Sequence, residues 1–480
     1  MKRLLTLLAG TAALAGCAVG PNYVSPTPDA PSQQPFVSAE SPAFTGNEPT
    51  GRWWSLFRDP RLDALVEQAL IANTDLRVAA ANLARARAAL RETRTDLFPS
   101  TTATGSYSYG QQAAQGAPPG VPGVGDPTDT FSLGFDVNYQ LDLFGRVRRA
   151  IEASRADVGA VQAAFDLTRI TVAAETTRAY ADACSFGQQL NVARETLRIQ
   201  ERTFDLTRRL FEGGRETALE ANQAGAQLDQ VRATIPTLES AQQSALFRLA
   251  VLTGRPPAEF PREVAACSQP PALAEPIPVG DGAALLARRP DIRQVERNLA
   301  AATARVGVAT ADLYPSITLG GSVGTTALSA GDLFTDDSFR FSLGPLISWN
   351  FPNIAAARAR VAQAEASADA AMATFEGTWL NALQETESAL TAYARELDRV
   401  RALRRARDQG AEAARIARLR YQAGRENFQV VLDAERVLAQ TDATLAQSQQ
   451  QLSTNLITLF LALGGGWQDS EAVAASAPSS

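Results

Sequence analysis

The sequence predicts an α+β membrane fold made from one helix–strand–strand–helix unit written twice. Three observations carry that reading. Motifs recur at a fixed offset, long stretches lack helix breakers, and four short segments alternate apolar with polar residues. DLFPS at 96–100 returns as DLYPS at 312–316, and FSLG at 131–134 returns at 341–344. EGGRE at 212–216 is answered by QAGRE at 422–426, and the VLTG ending at Gly254 by the LALG ending at Gly464. The last three pairs share one offset of 210 residues (341 less 131), the mark of an internal duplication. The first pair lies slightly further apart, so the second copy lost a few residues between DLYPS and FSLG.

Residues 1–16 read as a secretory leader. Lys2 and Arg3 give a positive start, and LLTLLAGTAALAG is a short apolar run ending in small residues. The run is too short and wrongly flanked for a spanning helix. It closes on LAGC at 14–17, which resembles a bacterial lipobox with Cys17 as the acylated first residue. The alternative is an ordinary cleaved leader followed by a chance cysteine. Residues 17–58 then form an N-terminal segment before the first repeat.

Repeat one spans 59–254. A helix ends at DLFPS, where proline stops it and pushes the preceding residue towards extended geometry. Strands are expected at about 101–110 and 130–143. In the second, Phe131, Leu133, Phe135, Val137, Tyr139, Leu141 and Leu143 alternate with Ser132, Gly134, Asp136, Asn138, Gln140 and Asp142. Between the two strands, QQAAQGAPPGVPGVGDPTD is a Gly/Pro loop. Helices follow at about 145–211 and 216–253. The first has no proline and, as one helix at 1.5 Å per residue, is roughly 100 Å long. Helices of that length pack as coiled coils.

Residues 255–282 form a Pro-rich linker. Repeat two spans 283–464, with strands at about 316–324 and 339–351 and helices at about 354–421 and 427–463. Pro345 interrupts the alternation of its second strand. Val431, Leu438, Leu445, Leu452 and Leu459 fall at strict sevens, the seam of a coiled coil. Leu228, Ile235 and Leu249 hold matching places in repeat one, where Pro236 is expected to kink the helix. Residues 465–480 form a tail.

Composition excludes much. Histidine is absent, which removes the usual general base and the commonest metal ligand. With no metal-ligand cluster and no phosphate loop, neither an enzyme nor a cofactor is expected. The formal charge of the full chain is −6, and losing Lys2 and Arg3 makes it more acidic, which argues against a nucleic-acid partner. An exported chain meets an oxidising compartment. Setting Cys17 aside leaves Cys184 and Cys267, an even remainder that invites a disulfide, with two unpaired thiols as the other possibility. Cys184 lies about 43 Å up its helix from the turn, and the return helix climbs about 60 Å. The linker has about a dozen residues in which to come back down.

Four strands with one apolar face can pack on a soluble core or form part of a transmembrane barrel. The lipid signal, the aromatic residues Tyr107, Tyr109, Tyr139 and Trp349, and the length of the helices favour the barrel. Four strands cannot close one alone, since about eight is the practical minimum, so several subunits must share it.

CAVGPNYVSP at 17–26, WWSLFRDPRLDALVEQAL at 53–70 and the turns FEGGRET and YQAGREN carry a more specific likeness. With the duplicated plan, they resemble the TolC-like outer-membrane factors, in the lipoprotein branch of RND-type multidrug efflux channels. The resemblance implies a homotrimer whose strands close a twelve-stranded outer-membrane barrel, continued by a long periplasmic α-helical barrel. It implies an equatorial region made from the N-terminal segment, the linker and the C-terminus. The implied role is the exit duct of a tripartite pump, with a periplasmic adaptor and an inner-membrane efflux transporter as partners. Ala18 after Cys17 suits delivery to the outer membrane.

The resemblance also implies site residues. The turns at Gly213, Gly214 and Arg215 and at Gly424 and Arg425 become adaptor-docking tips, with Glu212, Glu216 and Glu426 offering further charge. Asp433 matches a carboxylate lining the narrow periplasmic entrance, and Tyr421 an aromatic that helps hold it closed. The family often has a second acid three residues before the first; here that place is Val430, while repeat one offers Glu220. Two other roles stay open: a lipid-anchored periplasmic adaptor or scaffold, and the outer-membrane duct of a type I protein secretion system. An adaptor has one coiled-coil hairpin and no lipid-facing strands, against two hairpins and four candidate strands here.

Overall fold

The computed structural model describes residues 18–27, 34–47, 51–111, 127–273, 275–349, 351–352 and 354–464. The leader, Cys17, most of the Gly/Pro loop and the tail lie outside them. The chain forms two compact units, one of residues 1–26, 82–162 and 294–376, the other of 27–81, 163–293 and 377–480.

Among the described residues, the first unit holds four antiparallel strands: β2 (Ser100–Gln111), β3 (Pro127–Leu141), β5 (Ser316–Ala327) and β6 (Phe339–Ser348), in the order β2-β3-β5-β6. Proline sets where they begin. Helix α2 (Thr74–Thr95) closes with Phe98 N–H on Thr95 O (2.9 Å), and β2 starts just after Pro99. Helix α7 (Pro290–Ala311) closes with Tyr314 N–H on Ala311 O (3.1 Å), and β5 starts just after Pro315.

Register keeps each face uniform, because paired residues share a side of the sheet. Tyr107 faces Phe131, Leu141 faces Ile317, and Ile317 faces Ile347. This apolar face is open: Tyr109 is 66% exposed, Phe341 76% and Leu343 79%. The other face is polar apart from Leu346, which lies opposite Thr318, with hydroxyl pairs Ser132–Thr326 (3.3 Å) and Ser322–Ser342 (2.8 Å). Among the described residues, no helix is long and apolar enough to cross a membrane.

Two expectations need correction. Pro345 does not interrupt its strand; it pairs with Leu319 inside β6, at the edge of this chain's own sheet. Asp142 and Leu143 fall beyond β3, and Trp349 and Phe351 beyond β6. Asp142 instead caps helix α3 (Arg146–Glu212), accepting from the backbone N–H groups of Val147 and Arg148, each at 3.0 Å.

The second unit is built on the rest of α3, on α4 (Ala218–Leu252), and on α8 (Ile354–Gln422) and α9 (Phe428–Ala462). Its main core gathers the N-terminal segment against these helices. Trp53 is fully buried and stacks on Phe460 at 4.8 Å. Helix α1 (Pro60–Ala72) starts with proline at its first position and Asp59 as its cap; Asp59 also accepts from the Tyr180 hydroxyl. Strand β1 (Phe44–Thr45) pairs in parallel with β4 (Ile277–Pro278), joining the N-terminal segment to the linker. Helix α4 continues through Pro236, which withholds one backbone donor. At the matching place in α9, Ala446 is buried.

Candidate functional site

The two helical hairpins end in turns built alike, bond for bond. At the first, Gly214 adopts φ +69°, its N–H meets Phe211 O at 2.9 Å and Arg215 N–H meets Leu210 O at 2.8 Å. At the second, Gly424 adopts φ +67°, its N–H meets Tyr421 O at 2.9 Å and Arg425 N–H meets Arg420 O at 2.9 Å. These bonds satisfy carbonyls that a helix end leaves orphaned. A Cβ on Gly214 or Gly424 would meet nothing within 4 Å, so glycine is required there by backbone conformation and not by space. The return helices are capped at once, α4 by Thr217 with Glu220 and α9 by Asn427, whose side chain accepts from Val430 N–H at 3.2 Å.

Tyr421 joins the two turns. Its hydroxyl donates to Glu216 Oε1 at 2.8 Å, and its ring lies 5.8 Å from that of buried Phe428. Burial, followed by the bond to Glu216, pushes the Tyr421 phenol above its ordinary range. Burial also raises the Glu216 carboxyl, helped by its neighbour Glu220. Glu220 is held low, chiefly because it accepts the Thr217 backbone N–H at 2.8 Å. The second acid looked for in repeat one is therefore occupied as a helix cap.

Asp433 stands on the first turns of α9, half-exposed. It pairs with Arg436 Nη2 at 2.8 Å and accepts from Gln429 at 3.5 Å. Two residues on, Glu435 is 2% exposed and takes bonds from Thr203 (3.1 Å) and Gln200 (3.3 Å) on α3, with Arg418 of α8 at 3.7 Å. Sequence reasoning missed this residue. Its only signal was a carboxylate one turn along the helix from Leu432 and Val431, both buried.

Burial raises the Glu435 carboxyl above its ordinary value. The folded state therefore binds a proton more readily than the unfolded chain. The stability that follows is complete below about pH 4 and is lost as pH rises through the raised value. Glu435→Gln should flatten that dependence above about pH 4 in detergent-phase unfolding, while keeping the links to Thr203 and Gln200. An unchanged pH profile would show that Glu435 is as well solvated folded as unfolded.

Cys184 and Cys267 are joined as a disulfide, with Cα atoms 4.7 Å apart. The linker backbone lies directly on α3 there: a Cβ on Gly187 would fall 2.0 Å from Cys267 O. Gln242 of α4 ties both sides, donating to Ala183 O (3.3 Å) and Ala265 O (3.2 Å). Gly187 was visible beforehand only as a glycine inside a long helix.

The sheet, the long hairpins and their paired turns can be set beside known proteins. Residues 65–255 and 283–465, one stretch from each repeat, match the outer membrane efflux protein family. The chain belongs to that family. This efflux protein is 30% identical over 454 residues to nodulation protein T of Rhizobium leguminosarum bv. trifolii, covering 95% of each chain. It is 31% identical over 472 residues to the antibiotic efflux pump outer membrane protein ArpC of Pseudomonas putida, covering 98% of this chain and 96% of that one. The solved structure of the outer-membrane channel OprN superposes with a TM-score of 0.87 at 36% identity, over 94% of this chain and all of that one. The efflux protein resides in the outer membrane, and the open apolar face of its sheet is the surface suited to lipid.

Proposed function

We propose that this chain is the outer-membrane exit duct of a tripartite efflux pump, passing small toxic molecules from an inner-membrane transporter to the outside. The observation that carries the reading is the sheet: four strands, apolar on one face and polar on the other, ending in the outermost strands β2 and β6. Such a sheet closes only with copies of itself, and three copies supply twelve strands. Cys17 carries the lipid. The turns at Gly213–Arg215 and Gly424–Arg425 present exposed charge for a periplasmic adaptor, and Tyr421 with Asp433 forms the gate.

The direct test deletes the gene and scores survival against drugs, dyes and metal ions, with cross-linking and light scattering of the detergent-solubilised protein. Lost tolerance and a trimer are expected; unchanged tolerance or a monomer overturns the reading.

At the gate, threefold symmetry gathers three copies of Asp433 about one axis. Their field attracts cations, although each carboxylate is partly offset by Arg436. Asp433→Ala should lower cation selectivity in single-channel recordings and weaken block by divalent ions. If neither changes, Asp433 is an ordinary solvated helix charge.

A further inference from the structure

The residues that follow the acylation position are held by a slot whose other parts come from distant stretches of chain. Val19 N–H meets Phe144 O at 3.2 Å. The backbone passes so close to its supports that side chains are excluded on both walls. A Cβ on Gly145, which has φ +82°, would lie 2.6 Å from Ala18 Cα. A Cβ on Gly20, which has φ +88°, would lie 2.5 Å from Gly307 Cα.

Arg149 closes the slot. It is 5% exposed, yet three of its bonds go to this strap: Nε to Val19 O at 3.2 Å, Nη2 to Gly20 O at 3.3 Å and Nη2 to Asn22 Oδ1 at 2.7 Å. Its remaining partner is Glu152, at 2.8 Å on its own helix. A buried guanidinium is tolerated only when its donors are met, and here the strap's backbone carbonyls meet them. Gly307 supports the same side chain from below, since a Cβ there would stand 2.9 Å from Arg149 Cδ. Further along, Tyr23 donates to Glu296 Oε1 at 2.6 Å, and burial with that bond pushes its phenol up to about 12.

We infer that Gly145, Gly307 and Arg149 form a docking slot for the strap Ala18–Asn22, and that Arg149 is the positioning residue that fixes where the lipid anchor leaves the protein. The slot reads mainly backbone, but it demands glycine at position 20, where a φ of +88° turns the strap. Ala18 is seated beside Gly145, a few residues beyond the end of β3 at Leu141. Ala18, the first described residue of the strap, therefore sits at the foot of the strands, and the acylation position is its covalent neighbour, one residue or about 3.8 Å away along the chain. The inference rests on the reading of Cys17 as the lipidated residue. Acylation and docking are nevertheless separate events, and each can fail alone.

Hydrogen exchange of the detergent-solubilised full-length protein, read on the peptide containing Val19, tests docking; radiolabelled palmitate tests acylation. In the wild type the Val19 amide should be protected. Arg149→Ala should exchange at least tenfold faster there, with palmitate incorporation and exchange in α9 unchanged. Gly307→Leu, which fills the slot from the opposite wall, should do the same, and Arg149→Lys should restore part of the protection through its own donors. Unaltered exchange in both Arg149→Ala and Gly307→Leu overturns the slot. Palmitate entering Cys17→Ser as well as the wild type overturns the anchor reading and leaves the exchange result standing.

Discussion

Replacing both Cys184 and Cys267 with alanine should lower the unfolding free energy by about 4.5 kcal/mol. The figure follows from the 83-residue separation of the two cysteines, which fixes the loop entropy that the bridge removes from the unfolded chain. Alanine suits the test because both sites are buried, and a serine hydroxyl there would need a new partner. Gln242 still bridges Ala183 and Ala265 in the variant, so the linker should loosen without leaving α3. Denaturant unfolding in detergent, following helix signal, reads the difference. Equal midpoints for wild type and variant, or two reactive thiols in the unreduced denatured wild type, would end the idea.

On the proposed role of Tyr421 in the periplasmic gate, Tyr421→Phe should open the entrance. The substitution keeps the ring against Phe428 and removes only the hydroxyl that donates to Glu216. A hydrogen bond to a carboxylate contributes about 1.5–3 kcal/mol, and partial exposure places this one near the lower end. About 1.4 kcal/mol is tenfold in an equilibrium, so if the bond is made only in the closed form, each protomer's open form should gain about tenfold. If three protomers open together, the factors multiply towards about a thousandfold. Planar-bilayer recordings should show a leaky, higher-conductance variant, and cells carrying it should admit bulky antibiotics. Acid should act in the same direction on the wild type. As pH falls through the raised value of Glu216, the acceptor loses its charge and the bond weakens. Conductance in Tyr421→Phe that matches wild type at neutral pH would remove Tyr421 from the gate.

Much of the fold was legible because its signals are local. Period-two alternation assigned the faces of β3 before any pairing was known, and the structure places Leu133, Phe135 and Leu141 on the exposed apolar side. Pro99 and Pro315 marked where strands begin, since proline acts on its immediate neighbours. The glycines at 214 and 424 marked the turns, because a positive φ is a property of one residue. Pro345 misled for a related reason. Its cost depends on whether the strand is central or outermost, and that is decided by partners elsewhere in the chain.

Resemblance drew attention to Tyr421 and Asp433, but helical periodicity states only which way a residue points, not what covers it. Asp433 and Glu435 look alike in the sequence, yet one pairs with Arg436 at the surface and the other is buried against α3. Tyr421 reaches Glu216 across a separation of 205 residues, and Arg149 reaches Val19 across 130. The sequence by itself determined where helices stop, which face of each strand is apolar and that the unit is duplicated, since dihedral preferences and hydrophobic period act over a few residues. Only the tertiary structure decided which polar groups meet, because desolvation and hydrogen bonding depend on whatever distant segment the fold brings within about 3 Å.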